Sequence, residues 1–594
     1  MEALDFAEEG GGVHEDEIYF KTVYIAVFLL LIIYTMVGSY IESTKAGYLH
    51  ETGVAIIIGM LISLFWQYFG YSQINDLLKF SESLFFFVWL PPIVFAAGYN
   101  MKRKKFFRHF NYIALFGIIG TFAWFTCFSV FTAAVFYYEP MYKYIPETGE
   151  SVQFKLTLRE ILLLCSLMCS SDVVAAVSLI DFQKQPKLFS MVFGEGITND
   201  AVSIILFNTV FKYTGSSEKF TTQTVFKVIF EFTKLTISSV GCGVWAALTW
   251  TLLLKHLRFL THSPVHETLF VFCFGYLGYM ASELFELSGI ISLLTWGILM
   301  AHYAWYNLSP QSKQTTCLAF GAIGFGSEAF VFAYLGLTFF SYTNYEWSWQ
   351  FFVNEFFVVI IGRFIGIVGL LYLVSCLFNH KRELSFKEVM FLYCGGMIRG
   401  AIAFGLVLRL DHSLPNRQVI ITTSLWLVIV TTLLFGSLMP ILSVVLLGGD
   451  EKSQDHSESS PAKDREDQEM KEINHSRSSS YSNGPPSHYD IMIHPNFEEE
   501  NSQNAGKGKK KKKTRGWVKY FKEFDESIMK PILIYKYSKQ RKEKQYELFL
   551  AIHKKGQHIE TIYADDKHDQ TDEGQKENEE NQLANMIRKN TVNN

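Results

Sequence analysis

Residues 193–203 read Phe193-Gly194-Glu195-Gly196-Ile197-Thr198-Asn199-Asp200-Ala201-Val202-Ser203. They lie in an otherwise apolar run, residues 187–213, long enough to cross a bilayer as one helix. Ionisable groups in such a run are expensive and mark a functional site by default. Glu195 and Asp200 are five residues apart, about 140° around a helix, so they face different ways and need different partners. Asn199 lies on the Glu195 side at i+4, while Gly196 and Ser203 flank Asp200 at i−4 and i+3. The small residue leaves room for an ion or water, and the hydroxyl offers an oxygen, the ligand type hard cations take. A carboxylate out of water is costly to keep charged and alone. Asp200 therefore holds a proton or a cation but not easily both, and that competition is what an antiporter needs. The competing reading is a structural, hydrogen-bonded aspartate.

Outward from this stretch, thirteen apolar segments are centred on residues 20–41, 52–71, 83–99, 110–138, 160–180, 187–213, 225–254, 266–282, 287–303, 314–340, 350–378, 388–409 and 418–447. The spacing predicts an all-α, polytopic membrane protein of about 13 transmembrane helices. Charge content agrees. The net charge of −4 and mean hydropathy of +0.16 average two unlike parts. Residues 1–449 carry roughly 13% charged residues and residues 450–594 roughly 37%, against about 25% in a soluble domain. The first part is too poor in charge for a soluble globule, and the second is too rich to hold much core. A soluble enzyme, a disulfide scaffold and a nucleic-acid-binding domain are excluded as the main reading.

Lys102, Arg103, Lys104, Lys105 and Arg108 follow span three; Lys184 and Lys187 follow span five. Lys255 and Arg258 follow span seven, and Lys381, Arg382 and Lys387 follow span eleven. All are odd-to-even connections, which the positive-inside rule puts in the cytoplasm. Residues 1–18, with acids and no Lys or Arg, then face the lumen or exterior and do not read as a cleaved signal. Residues 19–448 form the membrane domain. Residues 449–594 form a cytoplasmic, largely disordered regulatory tail. Its basic segment 507–515 reads either as a dock for anionic lipid or as a solvated charge run. The eight Cys all lie in or beside apolar runs and read as packing residues.

Two further spans carry polar clusters in mid-membrane: Cys169-Ser170-Ser171-Asp172-Val173-Val174 in span five and Gly395-Gly396-Met397-Ile398-Arg399-Gly400 in span twelve. Both suggest interrupted helices. Spans one to six and eight to thirteen then form two inverted repeats, with a break in the fifth member of each, the pattern of secondary transporters. Half-helix N-termini attract Asp172 and half-helix C-termini attract Arg399. Arg363 in span eleven needs a partner, and Glu195 is the best candidate, which leaves Asp200 for transport. Glu328 in span ten is a weaker candidate, and Glu283 and Glu286 read as interfacial. In span three, Pro91-Pro92 after Phe85-Phe86-Phe87 is expected to break the helix.

Together these residues resemble the cation/proton antiporter family of sodium/proton exchangers. The likeness rests on Phe85-Phe86-Phe87-Val88-Trp89-Leu90-Pro91-Pro92-Ile93, Ser170-Ser171-Asp172, Phe193–Asp200, Leu287-Ser288-Gly289-Ile290, Arg363 and Ile398-Arg399-Gly400-Ala401, over about residues 50–445. The resemblance implies crossed interrupted helices, a core moving elevator-like against a dimerisation domain, and a homodimer. It implies that Asn199-Asp200 marks electroneutral exchange of Na⁺ or K⁺ for H⁺; with the residues read above, the candidate ion-binding set is Asp200, Asn199, Asp172, Ser171 and Ser203. Glu195–Arg363 would be a structural pair, Arg399 would compensate half-helix charge, and Phe85, Phe86, Leu90, Pro91 and Pro92 would form an inhibitor-associated segment. Gly194-Glu195-Gly196, Gly297–Trp305 and Phe524-Asp525 with Met529–Leu533 look like endosomal or vacuolar members. Val173 departs from the Pro of many relatives. No cofactor is implied; the partners are Na⁺, K⁺, H⁺ and membrane lipid, with a regulatory protein as a second candidate for the tail.

The rival class is a cation channel, or a non-transporting sensor on the same scaffold. A channel needs repeated selectivity rings along a hydrated path, whereas these charges are single and placed in corresponding halves. A sensor would tolerate loss of Asp200. An enzyme is not expected, because no His/Cys/Asp cluster suggests a metal or nucleophile.

Overall fold

The computed structural model describes residues 21–22, 24–41, 50–69, 82–99, 109–172, 174–177, 180, 185–214, 222–378, 385–447, 520 and 523–538. The chain divides into two units, residues 1–495 and 496–594. In the first, every one of the thirteen apolar stretches carries helix. They are α1 (Tyr24–Ile41), α2 (Glu51–Tyr68), α3 (Glu82–Tyr99) and α4 (Tyr112–Tyr138). Then come α5 (Leu158–Met168), α6 (Val174–Val177), α7 (Pro186–Thr214), α8 (Thr222–His256), α9 (Pro264–Leu284) and α10 (Gly289–Tyr303). The last are α11 (Pro310–Leu337), α12 (Trp349–Phe378), α13 (Phe386–Gly395), α14 (Ala401–Leu408) and α15 (Arg417–Leu447). Among the described residues, eight helices are long and apolar enough to cross a membrane by themselves: α1–α4, α8, α11, α12 and α15. The rest are shorter, interrupted or, like α7, diluted by the polar residues of the opening stretch.

Local chemistry sets the ends. Thr157 and Glu160 form a reciprocal capping box at the start of α5, and Ser385 and Glu388 do the same for α13. Ser309 caps α11 with Pro310 in its first turn. Glu286, with φ of 54°, makes the sharp link from α9 to α10, where Glu283 Oε1 accepts from Gly289 N at 2.9 Å. Glu286 itself is exposed and 3.3 Å from Lys212. α2 and α11 cross at Gly59 and Gly336; a Cβ on Gly59 would sit 2.7 Å from Ala333 O, so only glycine allows this approach.

Three features depart from the sequence expectation. The tandem prolines do not break α3. The helix runs on through them and widens into a π-helical turn over Phe85–Trp89 just before. Pro91 and Pro92 lack N–H and crowd the carbonyls four residues back; the wider turn relieves both problems without ending the helix. A second π turn, Leu115–Gly120, lies within α4. Finally, α4 and α5 are joined by a hairpin, β1 (Met141–Ile145) and β2 (Glu150–Phe154), that apolar-span counting does not see. Tyr144 of β1 exchanges backbone hydrogen bonds with Trp347, and Lys143 pairs with Glu346 at 2.7 Å, fixing the hairpin to the start of α12.

The second unit has a π turn at Asp525–Met529 and a helical turn at Lys530–Leu533, with Lys530 Nζ 2.9 Å from Asp525 Oδ2. The 1–18 segment, the basic loop 102–108, Lys184, Lys381, Arg382, Val173 and the 507–515 run lie outside the described residues.

Candidate functional site

Two interruptions meet at one point. α5 ends at Met168 with Cys169 as its cap, and Ser170–Asp172 run on without helix before α6. α13 ends at Gly395, and Gly396–Gly400 are likewise non-helical before α14. The breaks are hydrogen-bonded to each other, Asp172 N donating to Ile398 O at 2.8 Å. Arg399 Nη1 donates to Ser170 O at 2.8 Å, so a buried guanidinium satisfies a carbonyl at the C-terminal end of α5. Thr432 of α15 holds Arg399 O at 2.7 Å from the other side. Gly400 stands close against Asp172; a Cβ there would be 3.1 Å from Asp172 Cβ, a tight contact.

α7 passes this crossing. Asp200 Oδ1 accepts from Ser170 Oγ at 2.6 Å and from Ser171 N at 3.2 Å. Asn199 Nδ2 donates to Ser171 Oγ at 2.9 Å, and Asn199 Oδ1 accepts from Thr121 of α4 at 2.9 Å. Asn199 is fully buried, whereas Asp200 is half-buried. The structure thus brings Asp200, Asn199, Ser171 and Asp172 to one crossing. Ser203 it places otherwise: its hydroxyl donates to Ser166 O. The expected oxygen beside Asp200 is instead a tie between α7 and α5, because the carbonyls of α5's last turn, exposed by its early end, need donors.

Glu195, on the other side of α7, accepts from Arg363 Nη2 of α12 at 2.8 Å, with side-chain exposures of 1% and 0%. The guanidinium lies 4.2 Å from the centre of the Trp124 ring and flat against Gly396, whose hydrogen leaves the space it fills. Trp124, Thr121, Ser170 and Gly396 are residues of this site that the sequence reading passed over or left without a role. A glycine run in mid-span was the available signal for Gly396; nothing marked Thr121 or Trp124. Two more carboxylates lie in the same region. Glu328 of α11 is half-buried within electrostatic reach of Asp172. Glu355 of α12 is buried beside Thr132.

The segment around the π turn is placed elsewhere. Phe85, Phe86 and Leu90 are buried, with Phe85 against Gly405 of α14. Pro91 and Pro92 line a small apolar cleft with Phe95, Phe272, Tyr276 and Phe320.

Residues 27–445 match the family model described as "Sodium/hydrogen exchanger, transmembrane". Sodium/hydrogen exchanger 5 of Arabidopsis thaliana is 30% identical over 443 residues, covering 72% of this chain and 81% of that protein. Sodium/hydrogen exchanger 4 of the same plant is 29% identical, covering 72% and 80%. Human sodium/hydrogen exchanger 8 is 29% identical, covering 71% of each chain. Among solved structures, the sodium proton antiporter MjNhaP1 from Methanocaldococcus jannaschii superposes with a TM-score of 0.52 at 15% identity, over 72% of this chain and 98% of that one. The last is a likeness of fold.

Proposed function

The chain belongs to the sodium/hydrogen exchanger family and is an integral-membrane sodium/proton antiporter; on that premise we propose that proton and cation compete for Asp200. One observation carries this reading. Asp200 is held by neutral donors, Ser170 Oγ and Ser171 N, at the crossing of two interrupted helices. Of the buried cations near it, Arg363 is paired with Glu195, and Arg399 donates to Ser170 O rather than to Asp200. Among the described residues no cationic side chain is bonded to Asp200, which leaves its carboxylate to bind H⁺ in one half-cycle and Na⁺ or K⁺ in the other. Ser171 Oγ, Asn199 Oδ1 and Asp172 supply further oxygens nearby, the ligand type such ions take. One carboxylate that trades one monovalent ion for another moves no net charge, so exchange is electroneutral.

The site ties α4, α7, α12 and α15 to the two breaks by hydrogen bonds and the Glu195–Arg363 pair, and the breaks join α5 to α6 and α13 to α14, which supports these helices moving as one body in an elevator-type cycle. We assign α1–α3 and α9–α11 to the static side and to a homodimer. The Gly194-Glu195-Gly196 and Gly297–Trp305 segments support an endosomal or vacuolar membrane. Proteoliposomes loaded with a pH dye test the site. A Na⁺ or K⁺ gradient is expected to move internal pH with wild-type protein and not with Asp200→Asn. Wild-type rates in that variant would remove Asp200 from the mechanism. The same assay under clamped voltage tests charge balance, and a current would refute the one-for-one exchange.

A further inference from the structure

α14 is eight residues long and has two ends with different tasks. Its start, Gly400-Ala401, lies at the crossing beside Asp172. Its other end is seated on the π turn of α3. Arg409, which caps α14, places its guanidinium carbon 3.6 Å from the centre of the Phe86 ring. One turn earlier, Gly405 receives the Phe85 ring; a Cβ at 405 would be 2.6 Å from Phe85 Cδ1. The two Phe rings meet edge to face at 4.9 Å. Phe86 is fixed from behind, because Tyr279 of α9 donates to Phe86 O at 2.8 Å. That carbonyl belongs to the π turn, so the bulge in α3 and the hydroxyl of α9 together make a rigid seat. Tyr279 is also within electrostatic reach of Arg409 and Glu283.

This contact joins the elements carrying the ion site to elements outside it, at a particular end of the molecule. Arg409 is followed by Asp411, 3.8 Å from Arg159 at the start of α5, and by Asn416, which bonds Glu160 of the same turn. The hairpin, tied to the start of α12, reaches that end too, because Thr422 of α15 donates to Glu346 O. On the elevator reading above, α14 belongs to the moving body and α3 to the static side, so the Arg409–Phe86 contact has to break when the site opens towards the hairpin end. A cation on a desolvated ring face is a contact strong enough to bias such a step.

We propose that Arg409 is a latch: its seat on Phe86 holds the pathway closed on the hairpin side, and it breaks and re-forms in each transport cycle. This deepens the exchange reading above and rests on it. Arg409 acts on access alone and touches neither Asp200 nor the cation.

The test uses the full chain in proteoliposomes, with the Na⁺ KM measured separately from the hairpin face and from the opposite face. Arg409→Gln is expected to lower the hairpin-face KM about tenfold and raise the other, as the population shifts towards the hairpin-open state. Arg409→Lys keeps a cation over the ring and should stay within about twofold of wild type. Phe86→Leu should act like Arg409→Gln, and the double variant should add little to either. A KM change of equal size on both faces, or no change, overturns the latch; so does full additivity in the double variant. A second arm needs no kinetic asymmetry. In an F86C/R409C protein, a short bifunctional thiol reagent should stop exchange, and a cleavable version should restore it after reduction. Undiminished exchange in the cross-linked protein also overturns the latch while leaving the role of Asp200 intact. A wild-type protein that does not exchange at all overturns both.

Discussion

Removing one partner of the Glu195–Arg363 pair should be among the most damaging single changes in the membrane domain. The two side chains are 2.8 Å apart and 1% and 0% exposed. Breaking such a pair leaves a charge with no water to receive it, at a cost of about 3–5 kcal/mol. Arg363→Gln also forfeits the stack on Trp124, up to about 2 kcal/mol when desolvated, and empties the groove at Gly396. Glu195→Gln keeps both. Arg363→Gln is therefore expected to be the worse of the two, and Glu195→Gln/Arg363→Gln together to be better than Arg363→Gln alone, since no unpaired charge remains. A full swap, Glu195→Arg with Arg363→Glu, should rescue only in part, because the groove that fits the guanidinium is presented to α12 and not to α7. In a melt followed by fluorescence size exclusion, the single variants should lose about 3–8 °C. Exchange in proteoliposomes should fall with the folded fraction. Glu195→Gln as stable as wild type, with a double variant no better than Arg363→Gln, would refute the reasoning.

Three other outcomes follow from the same geometry. Gly396→Ala should unfold the protein or strip its activity, because the added methyl takes the place of the Arg363 guanidinium; expression and melting in detergent check this. Ser170→Ala removes the 2.6 Å bond to Asp200 and should raise the cation KM several-fold with a stability loss of about 1 kcal/mol, measured by side-resolved exchange. Ser203→Ala should do the reverse, costing about 1 kcal/mol of stability with an unchanged KM, because its hydroxyl serves Ser166 O.

Much of this arrangement was legible in the sequence, for a reason specific to membranes. Polar residues are so costly in lipid that each one left in an apolar run is a signal, and Glu195, Asn199, Asp200, Asp172, Arg363 and Arg399 stood out on that ground alone. The breaks were legible because glycine and serine cluster where helices stop. What escaped notice was whatever costs nothing in lipid or depends on packing. Thr121 is an ordinary helix residue until Asn199 faces it, and Trp124 is one aromatic among many until Arg363 lies on it. The expected break at Pro91-Pro92 does not form, because a wider turn, an option that a proline rule written for a regular helix omits, carries the helix through. Ser203 was assigned by helical offset from Asp200, which locates a side chain on its own helix but not the carbonyl on α5 that claims its proton.

The crossing of the two breaks also constrains how the protein is made. Ser170 O receives its donor from Arg399, 229 residues later in the chain. At the usual pace of synthesis, about 10–45 s pass between the two. Through that interval the open backbone of Ser170–Asp172 sits in a half-built bundle, and hydrocarbon offers it nothing. The first half must therefore wait beside the insertion machinery, or with water or a chaperone at that depth, until the second half arrives. A chain cut within α8 is expected to give two fragments that fail to accumulate singly and recover exchange when co-expressed, a result that proteoliposome assays of the pair would check.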